Sequence, residues 1–453
     1  MNALFARQAL LAHGWASDVL LEWDGAGDLC ALEAGTPAPA GVEVVSHVLP
    51  GMVNLHSHSF QRALGGLTEK AGAGPDSFWT WRELMYRLAR HITPEQMEAI
   101  AAQLFSECLR HGYTAVCEFH YVQRAPDGAL YARPAETAER VIAAARLAGI
   151  GITMLPVLYS YSGFGAKALK PQQARFRSGV DDVLDTVAAL EPLRDGQTEV
   201  GAAPHSLRAA SVAQIGALLE ALPAQRPLHI HIAEQAQEVA QCVAWSGRRP
   251  LQWLFEHVAI EHRWCLVHAT HVTADEVGLL AASGAVAGLC PSTEANLGDG
   301  VFPLAEFCGA GGRFGIGSDS QVSHSAVEEL RWLEYGQRLH HRRRNVAASE
   351  RLPHVGEFLW QGALGGGAQA SGRRIGALEK GRRADLLVLD GAHANLDGVA
   401  PQDVLGSFIF CGNDNLVRDV LVGGEWVVRA GTHIAQEAIA QRYKRTLAEL
   451  RRL

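Results

Sequence analysis

Lysine is nearly missing from this chain, with 5 in 453 residues against 35 arginines. None falls between Lys170 and Lys380, so no lysine in the middle of the chain can be carbamylated to bridge two metal ions. Charged residues are sparse at 19%, while hydrophobic residues reach 48%; this balance excludes a disordered chain and supplies a large core. The net charge of −8 leaves no general basic field, only the local cluster HHRRR at 340–344, so nucleic acid is not an expected partner. No apolar run reaches 18 residues, and MNALFARQALLAHGWASDVLLEW has no basic segment leading into an apolar one. No membrane partner and a cytoplasmic location are therefore expected. The eight cysteines include no CxxC pair, which reads as thiols of a reducing compartment rather than a disulfide framework. What the chain has in excess is histidine, 20 residues.

The length fits one large domain with a smaller one. Residues 1–47 read as short alternating runs broken by Gly and Pro, the pattern of a small antiparallel sheet. From PGMVNLHSH onward, short apolar runs alternate with stretches of helical spacing, which is βα repetition. Eight candidate strands lie at 52–56, 114–119, 151–159, 199–204, 227–233, 263–269, 285–291 and 313–319, the number a closed parallel barrel needs. After a helical stretch at 326–371, strand signals return in RIGALEKGRRADLLVLD and VRDVLVGGEWVVRAG. The predicted fold is α/β: a (β/α)₈ TIM-type barrel over 48–372, a smaller β-sandwich domain from both chain ends (1–47 and 373–432), and a C-terminal helix over 433–453.

In such a barrel the C-terminal strand ends converge on one mouth. His56 and His58 end the first strand two residues apart, so both rings share one side of an extended chain. His231 lies in the fifth strand, His268 ends the sixth and Asp319 ends the eighth. Imidazole and carboxylate are the donors of a hydrolytic Zn²⁺ site. Taken singly, Asp319 in GSDS also reads as a helix cap, and His268 as a core histidine. Glu234 follows His231 by three residues, placed to shuttle protons beside such a site. His229 reads as packing, or as a partner behind the donors.

PGMVNLHSH, HIHIAEQ, LVHATH and GIGSDS, with ADLLVLD near the C-terminus, resemble the metal-dependent amidohydrolase superfamily across essentially the whole chain. HSHSFQRALGGLTE, SFWTWRELMY, EFHYV and PHSLRA are similar to a branch of it that works in histidine degradation. The resemblance implies hydrolysis of the formimino group of N-formimidoyl-L-glutamate to N-formyl-L-glutamate and ammonia. It implies one Zn²⁺ per chain on His56, His58, His231 and Asp319, with water as a fifth ligand; iron or another divalent ion suits the same donors. In that scheme Asp319 takes a proton from the attacking water, His268 stabilises the tetrahedral centre, and Glu234 carries protons to the departing nitrogen. A dicarboxylate substrate calls for arginines at the mouth: Arg208 in PHSLRA first and Arg82 in WTWREL second. Gln61, Tyr121 and His205 match positions where the family binds substrate, and a homodimer is implied.

The aromatic stretch 77–88 reads as a long loop, either a lid or a subunit contact, and 290–300 as a further rim loop without a role. A deaminase of an aromatic base such as guanine or cytosine, or a chlorohydrolase, would share the metal donors and Glu234. The arginines favour the dicarboxylate. A catalytically silent relative would have lost metal ligands, and here none is lost.

Overall fold

Alternating strands and helices are also what the computed structural model shows; it describes residues 2–70 and 78–452. Strands β1 (Asn2–Leu11), β2 (Gly14–Trp23), β3 (Leu29–Glu33) and β4 (Glu43–Pro50) open the chain. The middle carries β5 (Met52–Ser57), β6 (Tyr113–His120), β7 (Gly151–Leu158), β8 (Thr198–Val200) and β9 (Ala203–Pro204). It continues with β10 (Leu228–Ile232), β11 (Trp264–His268), β12 (Val286–Leu289) and β13 (Arg313–Ile316). Four more strands close the fold: β14 (Leu386–Leu389), β15 (Val417–Val422), β16 (Glu425–Arg429) and β17 (Thr432–His433).

Strands β5 to β8 form one parallel sheet, with β9 paired to β7, and β10 to β13 form a second parallel sheet. Every residue of β5, β6 and β7 is buried, as in parallel strands covered on both faces. Isolated parallel bridges join the two sheets at both seams: Ser57 with Asp319, and Ala202 with Leu228 and Ser206 with His231. The run expected as one strand at 199–204 is split around Gly201, where a Cβ would stand 2.3 Å from Pro227 O. That closeness to the neighbouring chain is open only to glycine.

The small domain draws strands from both chain ends, and they make one continuous mixed sheet in the order β17-β16-β15-β14-β4-β1-β2-β3. The mixture arises because β4 lies parallel to β1. Only Gly51 separates β4 from β5, and a Cβ on Gly51 would sit 2.2 Å from the Thr114 side chain. Leu4, Val19, Leu21, Trp23, Leu386 and Leu421 belong to a separate buried cluster on this sheet. The terminal helix spans Gln436–Leu450 and is tied to the helix Pro94–Arg110 by Arg442 Nη2, which donates to Glu98 Oε1 at 2.7 Å.

Two expected loops are helical. Ser77 lies outside the described residues, but from Phe78 the aromatic stretch forms the helix Phe78–His91. Its buried Met85, Tyr86 and Ala89 follow helical spacing that the surrounding tryptophans obscure. The 290–300 segment contains the helix Pro291–Leu297, opened by proline at its first turn. Among the described residues no helix is long and apolar enough to cross a membrane, and all eight cysteines are free.

Candidate metal centre and active site

β5 delivers His56 and His58, β10 delivers His231, and Asp319 stands three residues beyond the end of β13. Their donor atoms all lie within 4.8 Å of one another. His56 Nε2 is 3.0 Å from His231 Nε2, and Asp319 Oδ1 is 3.4 Å from His56 Nε2 and 3.3 Å from His58 Nε2. All four residues are buried. Burial pushes His56 down to about 3 and depresses His58 and His231 as well, so the three rings are neutral. Asp319 is held below the carboxylate range despite burial, because His56 hydrogen-bonds to it.

The tautomers follow from the outer partners. His58 Nδ1 is 2.9 Å from Phe119 O and His231 Nδ1 is 3.0 Å from His205 O. A carbonyl only accepts, so both Nδ1 atoms carry the proton and both Nε2 atoms turn a bare lone pair to the centre. Two bare imidazole lone pairs, the His56 ring and a carboxylate converging on one buried point form a donor set that fits a divalent metal ion.

The backbone is arranged around that convergence. Asp319 N donates to His56 O at 2.9 Å and His58 N to Asp319 O at 3.2 Å. Beneath them, Asn54 exchanges hydrogen bonds with Ser318. Gly317 allows the approach, since a Cβ there would lie 2.8 Å from the His56 backbone. Ala233, His268 and Asp319 have φ of 50°, 68° and 45°, left-handed values that cost energy and cluster at sites where side chains must turn back across a strand end. Glu118, at the end of β6, accepts from Ser57 Oγ and from Ser59 N, both at 2.7 Å, and so grips the chain on each side of His58.

Beside the four donors stands a set of acids and cations. His268 Nε2 is 3.8 Å from Asp319 Oδ2 and 3.9 Å from Glu234 Oε1, and its Nδ1 is 3.3 Å from Glu294 Oε1. Burial disfavours the His268 cation, but Glu234, Glu294 and Asp319 outweigh it and push the ring up to about 10. Burial raises Glu234. Arg208 Nη2 donates to Glu234 Oε2 at 3.4 Å and lies 3.8 Å from Glu238 Oε2. Glu238 in turn accepts from the Ala233 and Glu234 backbone N–H groups.

These groups open on a cavity of about 620 Å³. Gln61, Arg82, Tyr121, His205 and Arg208 all line it, together with Glu234, His268 and Asp319. Gln61 Nε2 donates to Tyr121 Oη at 2.8 Å. His229 points elsewhere and donates from Nε2 to Ala370 O at 2.9 Å. The sequence reading missed Glu118, Glu238 and Glu294. Glu294 corrects the reading of 290–300: its helix carries the carboxylate that meets His268 and caps Cys290 N at 3.0 Å. It also missed Tyr159, which follows β7 directly and carried a legible signal, a polar aromatic at a strand end.

The sequence matches the amidohydrolase family over residues 47–427 and the N-terminal domain described as formimidoylglutamate deiminase HutF over residues 1–45. It is 53% identical over 451 residues to a formimidoylglutamate deiminase of Pseudomonas aeruginosa, covering 99% of this chain and 100% of that protein. An amidohydrolase structure from Brucella melitensis superposes with a TM-score of 0.95 at 44% identity, covering 99% of this chain and 100% of that one. A mutant atrazine chlorohydrolase of Arthrobacter aurescens, complexed with zinc and atraton, shares the fold at 20% identity and a TM-score of 0.82, covering 99% of this chain and 100% of that one.

Proposed function

The chain belongs to the amidohydrolase family, and from that premise we infer that it hydrolyses N-formimidoyl-L-glutamate to N-formyl-L-glutamate and ammonia. The observation that carries the reading is the 53% identity over the full length to a deiminase of that substrate. The cavity agrees with it, since two arginines share its wall with the acid groups.

We propose zinc as the ion on His56, His58, His231 and Asp319, one per chain; the donor chemistry and the zinc-bound neighbour support this. When bound, such an ion supplies Lewis acidity that brings water's ionisation toward neutral pH. The remaining steps belong to the chain's own groups. Asp319 uses Oδ1 toward the histidines and keeps Oδ2 on the His268 side, where it accepts a proton as water adds to the formimidoyl carbon. His268, cationic between Glu234 and Asp319, stabilises charge as that carbon becomes tetrahedral. Glu234 Oε1 faces His268, and in its protonated form gives its proton to the terminal amino nitrogen of the tetrahedral centre; the C–N bond breaks, ammonia leaves, and the hydroxyl proton passes to the Glu234 carboxylate as the formyl carbonyl forms. Arg208 and Arg82 hold the substrate carboxylates, and Gln61, Tyr121 and His205 complete the wall.

We also propose that the two parallel sheets, bridged at both seams, are the halves of one (β/α)₈ barrel, with the mixed sheet as a separate domain. Cytoplasmic location is proposed on the eight free thiols. A homodimer is proposed on the family resemblance and on exposed Trp332, Tyr335 and Leu339 along one helix.

The test is ammonia release by purified protein from N-formimidoyl-L-glutamate, guanine and cytosine in parallel, with metal analysis of the same sample. Ammonia from the first alone, with about one zinc per chain, is expected. Release from a base instead overturns the substrate assignment.

A further inference from the structure

The cavity that Arg82 and Arg208 line also holds a pair of phenols to which the sequence reading gave no role. Tyr86 lies on the helix Phe78–His91 and Tyr159 just past β7; both are buried and both line the cavity. Gln173 is 2% exposed and lies between them. Its Nε2 donates to Tyr159 Oη at 2.8 Å and to Tyr86 Oη at 3.3 Å. The amide cannot be turned over, because its Oε1 accepts from Lys170 N at 2.9 Å.

A proton inventory follows. Gln173 spends both amide hydrogens on the two phenol oxygens, so neither phenol can give its proton back to that nitrogen. At least one hydroxyl hydrogen can therefore point away from Gln173 into the cavity that both phenols line. Arg82, whose guanidinium carbon lies 5.5 Å from the Tyr86 ring centre, and Arg208, which interacts electrostatically with both phenols, border that space, and arginine only donates. Burial keeps Tyr159 protonated far above neutral pH, so the donor persists. Three donors around one space suit an oxyanion.

We propose that Tyr86 and Tyr159 form a specificity element for one carboxylate of the substrate, donating one phenolic hydrogen bond beside Arg82 and Arg208, with Gln173 as the positioning residue that fixes the direction of that bond. The proposal rests on the reading of the reaction given above and adds residues to it.

Tyr86→Phe with Tyr159→Phe tests it, assayed on N-formimidoyl-L-glutamate, on N-formimidoyl-γ-aminobutyrate, which lacks the α-carboxylate, and on N-formimidoyl-L-glutamine, which lacks the γ-carboxylate. The double variant should raise KM for the glutamate substrate about ten- to a hundredfold, as for a lost bond to a charged group, with kcat changed less than threefold. Against one of the two analogues that penalty should vanish, which also names the carboxylate read. Gln173→Leu should give the same selective loss, and little further loss on top of the double variant. Equal losses on all three substrates, or no loss, overturn the proposal. A wild-type protein that releases no ammonia from N-formimidoyl-L-glutamate fails the reaction itself, a separate outcome.

Discussion

Arg208 Nη2 lies 3.4 Å from Glu234 Oε2, so the cation proposed to hold a substrate carboxylate also faces the carboxyl group proposed to move the proton. Both side chains are buried, and a buried charge left without its partner is strongly destabilised. Arg208→Met should therefore lower kcat as well as raise KM, reducing kcat/KM about a hundredfold or more. Steady-state kinetics decide it; a change under threefold removes Arg208 from the site.

Glu234→Gln keeps the shape of the side chain and its neighbours but removes the carried proton. Turnover should fall at least about a hundredfold, the usual scale of general acid–base catalysis, while zinc content stays at wild-type level. Ammonia assay and metal analysis on one preparation check this, and retained activity excludes the role.

Chelation should abolish activity, and one equivalent of zinc should restore it. His231→Ala removes a direct donor and should weaken zinc binding by more than the roughly ten- to hundredfold that loss of an outer partner costs. Competition with a chromogenic chelator measures that affinity; binding within twofold of wild type rules His231 out as a ligand.

Glu118 makes the fold sensitive to pH. Burial raises its carboxyl from 4.5 to about 7 against the hydrogen bonds from Ser59 and Ser57. The folded value exceeds the unfolded one, so this contribution is complete below about pH 4.5 and is lost as pH climbs through 7, roughly 3 kcal/mol in all. The melting temperature of wild type relative to Glu118→Gln should fall across pH 5 to 8; a constant difference over that range contradicts the shift.

The four residues whose donor atoms converge were legible in the chain because each sits at or just past the end of a short apolar run, and strand ends in a parallel α/β fold share one face. Arg82 and Arg208 reach the cavity from a helix and from a turn after β9, positions that motif similarity supplied and periodicity did not. Glu238 and Glu294 escaped notice because their roles depend on partners, the Ala233 backbone and the His268 ring, that only turns following positive-φ residues bring near. The strand arrangement of the small domain was hidden for a similar reason: alternating runs reveal strands but not the parallel placement of β4 beside β1. The break at Gly201 shows the same limit, since nothing in EVGAAP announces Pro227 O.

Gly51 leaves no slack between the outer sheet and the strand that carries His56 and His58. The two regions are thus in mechanical series: strain applied to β4 reaches the imidazoles within a few residues, with no loop to absorb it. Retention of a bound metal then becomes a gauge of a sheet whose described residues line no part of the cavity, and a nick or fusion along that sheet should announce itself first as leaking metal.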